Sequence, residues 1–224
     1  MTIRKITLAL GAIMISLAMG APVIARYFGE STDFHSAQFL PSPKPLINFI
    51  LEDQKGDLFT AKNFNQHWSL VLFGFSHCPD MCPLALHELT QVLQMSKASD
   101  TIPWQIIFVS LDPERDTPEN LKNYIASFDA SIVGVRGTNT ELAKLNHFFA
   151  TDYYRTVVMS SSALAADLTI PSGEDMPEHI QTDYLVEHSG RVYIVNPDAQ
   201  YLGSFTSPHV AKNIWHDLQL IIKR

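Results

Sequence analysis

Residues 69–83 read Ser-Leu-Val-Leu-Phe-Gly-Phe-Ser-His-Cys-Pro-Asp-Met-Cys-Pro. The first seven form an apolar run that is short enough to be a buried strand. A helix is predicted directly after it, because Pro83 suits a first helical turn and apolar residues follow at three- and four-residue spacing up to residue 93. Cys78 and Cys82, the two cysteines of the whole chain, therefore lie at the junction between a strand and a helix.

Strands and helices are predicted in alternation on both sides of this junction. Two short apolar runs within residues 47–60 flank the turn residues Lys55 and Gly56, which predicts a hairpin. Residues 151–182 have weak periodicity and predict an insertion or a loop. The alternation indicates an α/β layer architecture. The remaining predicted elements are strands at 104–111, 132–135, 192–195 and 201–205, and helices that begin after Thr117, Thr138 and Ser207.

The composition of the 224-residue chain excludes several classes of protein. With 46% hydrophobic and 17% charged residues, the chain is too apolar and too weakly charged to be disordered. Two cysteines are too few for a disulfide-framed mini-protein. The formal net charge of −7 has the wrong sign for a protein that tracks nucleic-acid phosphates, so no nucleic acid is expected as a partner.

The N-terminal region predicts export. Residues 6–25 contain no charged residue and follow the basic pair Arg4 and Lys5, so residues 1–25 are interpreted as a transmembrane anchor or a signal peptide. The run is longer than the apolar core of an ordinary signal, which favours an uncleaved anchor. In both cases the rest of the chain lies outside the cytoplasm. Residues 27–224 then carry a net charge of −10.

The segment after this region predicts a spacer. Residues 26–45 are polar, and Pro41, Pro43 and Pro45 stand at alternate positions, a pattern typical of extended, semi-rigid backbone. We interpret residues 26–45 as a Pro-rich stalk. Residues 46–224 are then the folded domain, with the insertion at about 151–182.

The position of the cysteine pair predicts reactive thiols. Unpaired N–H groups and the positive end of the helix dipole stabilise a thiolate at a helix N-terminus, and a thiolate binds metals or attacks disulfides. A structural disulfide is the plainer alternative in an exported protein. Two cysteines cannot complete a structural zinc site, which takes four ligands. Cu(I) is selected by thiolates and accepts few ligands, so two cysteines and one histidine would suffice.

Three of the nine histidines are candidates for the third ligand. His77 follows the buried strand, and His87 lies one turn into the helix, where it faces away from the cysteines. His188 lies just before the strand predicted at 192–195, where a loop of an α/β sheet would approach the cysteine loop. His188 is therefore the preferred candidate.

Three motifs together resemble the SCO/SenC family of copper proteins. The resemblance covers residues 39–222 and implies a thioredoxin-like fold, with a central mixed sheet flanked by helices, in a domain tethered to the inner membrane and facing the periplasm. It also implies that Cys78, Cys82 and His188 bind copper. The implied task is to deliver copper to, or to maintain the thiols of, the binuclear copper site of cytochrome c oxidase subunit II. The motifs are Gly-Phe-Ser-His-Cys-Pro-Asp-Met-Cys-Pro at 74–83, Ser-Leu-Asp-Pro-Glu-Arg-Asp-Thr-Pro at 110–118, and Glu-His-Ser at 187–189 before a strand that ends in Asn-Pro-Asp at 196–198.

A thiol–disulfide oxidoreductase is the alternative function. Cys78 and Cys82 would then be a redox pair, and no histidine would be needed. However, three residues separate the cysteines instead of the two of the usual thioredoxin motif, and no proline directly precedes the strand at 192–195. A copper chaperone is therefore favoured over an enzyme.

Two further features bear on the surroundings of the site. Glu187 stands where the family commonly has Asp, which predicts a shifted contact beside His188. Asp112 and Asp116 have two interpretations: they dock a partner or support the ligands, or they only end a strand and start a helix.

Overall fold

The computed structural model describes residues 34–99, 104–151, 153–157, 168–177 and 184–223, and His35–Arg224 forms one compact unit. Four α-helices, eleven strands and one 3-10 turn lie within these ranges. The helices are α1 (Met81–Lys97), α2 (Pro118–Ala126), α3 (Asn139–Phe149) and α4 (Ala211–Ile222), and the turn is Ala61–Phe64. The strands are β1 (Ala37–Pro45), β2 (Leu51–Asp53), β3 (Leu58–Phe59), β4 (Trp68–Gly74), β5 (Trp104–Ser110), β6 (Val133–Arg136), β7 (Tyr153–Val157), β8 (Leu168–Pro171), β9 (Tyr184–His188), β10 (Val192–Val195) and β11 (Gln200–Phe205).

Eight strands form one mixed sheet in the order β1-β11-β10-β4-β5-β6-β2-β3. Strand β4 is parallel to β5, and β5 is parallel to β6, so the loops after these three strands leave the same edge of the sheet. Strand β10 is antiparallel to β4, with Val192 opposite Leu72. The chain that leads into β10 is therefore brought to the edge at which β4 ends. The α/β architecture with a central mixed sheet is confirmed.

The central strand β4 is buried along its whole length. On one face of the sheet, Phe73 packs edge-on against Phe149 of α3 and Tyr193 of β10, beside a second, three-stranded antiparallel sheet in the order β8-β7-β9. On the other face, α1 packs against β5 and α4. Burial on both faces explains why β4 is a continuous apolar run in the sequence.

Most predicted elements are found within a residue or two of their expected limits. Strands β2 and β3 form the predicted hairpin, and Thr117 and Thr138 cap α2 and α3 by accepting hydrogen bonds from backbone N–H groups three residues on. The carboxylate of Glu141 does not complete a capping box at Thr138, because it accepts a hydrogen bond from the Ile50 N–H at 3.0 Å.

The predicted stalk is wrong for residues 37–45. These residues are β1, an edge strand that pairs with β11, and the register shifts between Phe39 and Lys44. All three prolines of this strand are exposed, and an edge strand tolerates proline because one side of it needs no N–H donors. The carboxylate of Asp217 in α4 accepts hydrogen bonds from the backbone N–H groups of residues 35, 36 and 37 at 2.8 to 2.9 Å. The folded unit therefore begins before residue 46.

Two other expectations are corrected. Within the region 151–182, residues 153–157 and 168–171 are β7 and β8 of the second sheet, so these residues are not a loop. Ser207 does not cap the last helix, which begins at Ala211 after Val210. The Ala211 N–H instead donates to the carboxylate of Glu88 in α1, at 2.6 Å.

The predicted anchor or signal at residues 1–25 lies outside the described residues. Within the described ranges, no helix is long and apolar enough to cross a membrane.

Candidate metal centre

The cysteine loop, residues 75–82, joins β4 to α1. Its start is fixed by the Cys78 N–H, which donates to the Phe75 carbonyl at 3.2 Å. The Cys82 N–H, one of the unpaired donors at the start of α1, points to the Cys78 sulfur at 3.5 Å. This is the helix N-terminus contact that the sequence predicts for a thiolate.

A glycine in β4 makes room for the second sulfur. A Cβ built on Gly74 would lie 2.7 Å from the Cys82 sulfur and 2.8 Å from the Phe108 ring. Cys82 is 1% exposed, whereas Cys78 is half-buried, and both cysteines are free thiols. The structural disulfide considered as an alternative is therefore not formed in this structure.

His188 reaches the cysteines from the opposite side of the junction. His188 is the last residue of β9. The register of β10 on β4 brings the residues between β9 and β10 toward the cysteine loop. The His188 Nε2 lies 3.5 Å from the Cys82 sulfur. One atom from each of Cys78, Cys82 and His188 lies within 4.8 Å of the others. The structure therefore brings together all three residues that the resemblance implies.

A contact of the second ring nitrogen fixes the orientation and the tautomer of the His188 imidazole. Its Nδ1 lies 3.0 Å from the Ser189 carbonyl, an acceptor, so we assign the proton to Nδ1. The lone pair is then on Nε2, which faces the sulfurs. A backbone carbonyl that holds the other ring nitrogen is typical of histidine ligands to metals. The Phe75 ring packs edge-on against the imidazole at 6.1 Å.

The two thiols differ in acidity. A hydrogen bond from the Cys82 thiol lowers the pKa of Cys78 to about 3, and backbone hydrogen bonds from Cys82 and Asp80 add to this effect against partial burial. The pKa of Cys82 is raised well above its usual range, because its proton is held by the Cys78 sulfur and the thiol is buried. Cys78 is therefore the thiolate of the pair.

The other candidate histidines do not reach the cysteines. His87 is exposed on α1, as predicted. The His77 side chain is 52% exposed, with Nδ1 3.0 Å from the Ser76 hydroxyl and 3.8 Å from an Asp116 oxygen. Among the described residues, the cluster of possible metal ligands that contains both cysteines has His188 as its histidine.

Asp116 holds the cysteine loop against the end of β5. Its buried carboxylate accepts hydrogen bonds from the Ser76 N–H at 3.0 Å, from the Ser76 hydroxyl, and from the Ser110 hydroxyl at 2.6 Å. Ser76 is two residues before Cys78, so this carboxylate fixes the backbone from which the first sulfur projects.

Asp112 holds the strand that carries His188. The Tyr184 hydroxyl and the Arg115 side chain both donate to its buried carboxylate, and the Arg115 guanidinium stacks 3.8 Å from the centre of the Tyr184 ring. Burial raises the pKa of Asp112, and these donors oppose the rise. Asp112, Asp116 and His77 also bring ligand atoms within 4.8 Å of one another. Both carboxylates are already bound by protein donors, so this second cluster is structural.

Glu187 does not contact the site. It is exposed on β9, one residue before His188, and its carboxylate accepts a hydrogen bond from the Tyr154 hydroxyl at 2.8 Å. Tyr154 is its cross-strand neighbour on β7. The Glu187 side chain therefore makes a cross-strand hydrogen bond on the exposed face of the second sheet, and the contact predicted beside His188 is not formed.

Comparisons with known proteins find relatives across most of the chain. The SCO1/SenC family model matches residues 42–223. The human protein named "Protein SCO1 homolog, mitochondrial" is 33% identical over 165 residues, which cover 72% of this chain and 48% of the human protein. The chain thus spans about half the length of that relative. A SCO2-like protein of Rickettsia prowazekii is 27% identical over 214 residues, which cover 95% of this chain and 91% of that protein.

A solved structure has the same fold. The crystal structure of yeast Sco1 with copper bound matches with a TM-score of 0.64 at 30% identity, covering 81% of this chain and 90% of the yeast chain. The sequence motifs, the mixed α/β fold and the family match agree, and this chain belongs to the SCO1/SenC family.

Proposed function

We propose that this chain binds one Cu(I) ion through Cys78, Cys82 and His188 and passes it to another copper protein. The observation that carries this proposal is the convergence of two sulfurs and one ring nitrogen within 4.8 Å. Two soft thiolates select Cu(I), and imidazole is a further ligand that copper accepts. Copper is the cargo of the protein and is not consumed in a reaction.

The state of the ligands suits capture of a soft cation. Cys78 is already a thiolate, and the His188 lone pair faces the sulfurs, so only Cys82 must lose a proton when copper binds. Asp116 and the Ser189 carbonyl keep the sulfur-bearing loop and the imidazole in position before the metal arrives. Ligands held in place in this way lose little conformational freedom on binding.

The receiving protein is proposed from the resemblance to the family. We assign this chain to assembly of cytochrome c oxidase, where it delivers copper to, or maintains the thiols of, the binuclear copper site of subunit II. Support comes from the family match over residues 42–223 and from the yeast relative with copper bound. Transfer requires only ligand exchange: each bond from copper to this chain is replaced by a bond to the acceptor.

The location is proposed from the sequence. Arg4 and Lys5 precede the charge-free residues 6–25, which supports a single inner-membrane span with the domain in the periplasm, or an exported domain after cleavage. From either location, the domain can reach a copper protein outside the cytoplasm.

Thiol–disulfide exchange is a second candidate function, favoured by the asymmetry of the two cysteines. Half-buried Cys78 is a thiolate, and the buried Cys82 holds the proton. Cys78 would attack a target disulfide and form a mixed disulfide, and the released target sulfur would take up a proton. Cys82 would then lose its proton and attack the mixed disulfide, leaving Cys78 and Cys82 oxidised and the target reduced.

Competition titration with a Cu(I) chelator separates these functions. The reduced chain is expected to bind one Cu(I), and His188→Ala is expected to lower the affinity by about tenfold or more. His87→Ala, which changes an exposed histidine of α1, is the matched control and should bind as the unaltered chain does. Unchanged affinity in His188→Ala would contradict the ligand assignment. Turnover of a disulfide substrate by a chain that never retains copper would favour the second function.

A further inference from the structure

The three proposed copper ligands are unequally accessible. Cys82 is 1% exposed, whereas Cys78 and His188 are both half-buried. The Phe75 ring packs edge-on against the imidazole. Cys78 and His188 are therefore the ligands that an entering ion can reach from solvent. We call the side on which these two ligands meet solvent the mouth of the site.

Met81 belongs to the segment that carries the cysteines, and its side chain contacts the segment that follows His188. It is the first residue of α1, directly before Cys82, and it is 42% exposed. Its side chain rests on Gly190, two residues after His188. A Cβ built on Gly190 would lie 3.3 Å from the Met81 methyl carbon and 3.7 Å from its sulfur. The absence of a side chain at position 190 therefore leaves room for the thioether beside the segment that carries His188.

The segment under Met81 is held in place. The His209 Nε2 lies 2.7 Å from the Gly190 carbonyl. The Ser189 hydroxyl forms hydrogen bonds with the hydroxyls of Thr151 and Tyr193, at 2.7 and 3.2 Å. Met81 is thus an exposed side chain on a fixed support, and it connects the start of α1 with the residues after His188.

The chemistry of a thioether suits this place. A thioether is a soft ligand that prefers Cu(I), and it is neutral and carries no proton, so it binds and releases the ion without titration. We propose that the Met81 sulfur is a further, transient ligand that holds Cu(I) at the mouth while the ion enters or leaves. This inference rests on the proposed copper function.

The step is a ligand exchange without change of oxidation state. One bond from Cu(I) to the donor molecule breaks as the bond to the Met81 sulfur forms. Cys78, His188 and Cys82 then replace Met81 and the remaining donor ligands, and Cys82 gives its proton to solvent. Release to an acceptor runs through the same contacts in reverse.

The first test separates the rate of exchange from affinity. Met81→Leu keeps the apolar volume on Gly190 and removes the sulfur, and Met95→Leu makes the same change farther along α1. With bicinchoninate as the Cu(I) partner, Met81→Leu is expected to keep its equilibrium affinity within about threefold and to take up and release copper about tenfold more slowly. Met95→Leu should match the unaltered chain. Unaltered exchange rates in Met81→Leu would overturn the proposal.

The second test looks for the bond itself. In Cys82→Ser, with one thiolate removed, the Met81 sulfur is expected to stay bound to added Cu(I), and the Met81 methyl carbon resonance should shift in a methyl-labelled chain. Met81→Leu in the same background assigns that resonance by its loss. A Met81 signal that does not move while the copper is retained would contradict the proposal. If the unaltered chain failed to bind Cu(I) at all, the proposed function itself would be wrong.

Discussion

Replacing Asp116 tests whether the carboxylate under the cysteine loop supports both stability and copper binding. An asparagine in the same place can keep all three hydrogen bonds: its oxygen accepts from the Ser76 N–H and the Ser110 hydroxyl, and its amide donates to the Ser76 hydroxyl after that group rotates. What Asp116→Asn loses is the charge of the acceptor, which costs about 1 to 2 kcal/mol over these bonds.

Asp116→Ala removes every acceptor. The Ser76 N–H and two hydroxyls lose their buried partner, and an unsatisfied buried group costs about 1 to 3 kcal/mol. We therefore expect a loss of about 4 kcal/mol in the free energy of unfolding. The loop that carries Cys78 should also move, which is expected to weaken Cu(I) binding by about 10- to 100-fold.

Urea unfolding of the reduced chain and Cu(I) competition titration measure the two effects. Asp198→Ala serves as the control, because Asp198 has an exposed carboxylate in the turn before β11. This change should alter the free energy of unfolding by less than about 0.5 kcal/mol. The reasoning is refuted if Asp116→Ala is as stable as Asp116→Asn, or if it loses stability while its Cu(I) affinity stays unchanged.

Two further predictions concern protons. Burial acts to raise the pKa of the Asp217 carboxyl, but three backbone N–H donors from residues 35–37 outweigh it and leave the pKa below its usual range. Asp217→Asn should therefore lower the free energy of unfolding at pH 7 by about 2 kcal/mol, and the difference should narrow as pH falls below about 4, where the unfolded carboxyl takes up its proton. Equal differences in urea unfolding at pH 7 and pH 3 would contradict this. Copper binding near pH 8 should release about one proton per chain, because Cys78 is a thiolate and Cys82 is not. The apparent affinity for Cu(I) should therefore rise about tenfold per pH unit. Calorimetry in buffers of different ionisation enthalpy counts the released protons, and a count of zero or two protons per chain would contradict this prediction.

Local patterns predicted the elements that build the site. The apolar run at 69–75, the cysteine loop and the cap at Thr117 each depend on residues close together in the chain, so spacing alone locates them. His188 could be proposed because it lies shortly before the strand predicted at 192–195, and the pairing of β10 with β4 then brings it to the cysteines. The register itself could not be read from the sequence.

Contacts between distant segments explain what the sequence did not predict. Residues 37–45 read as a stalk because alternate prolines favour extended backbone, and pairing with β11 makes that backbone an edge strand. The start of α4 was misplaced because its N–H partner, Glu88, is on another helix. The hydrogen bonds of Asp116 span 6 and 40 residues, so a role in supporting the ligands was only one of two interpretations.

X-ray absorption at the copper edge, on the reduced chain loaded with one equivalent of Cu(I), tests the central claim most directly. The geometry of Cys78, Cys82 and His188 predicts a first coordination shell of two sulfur atoms and one nitrogen atom. His188→Ala should remove the nitrogen and keep both sulfurs. A shell of nitrogen and oxygen alone, or an identical shell in the unaltered chain and in His188→Ala, would contradict the account.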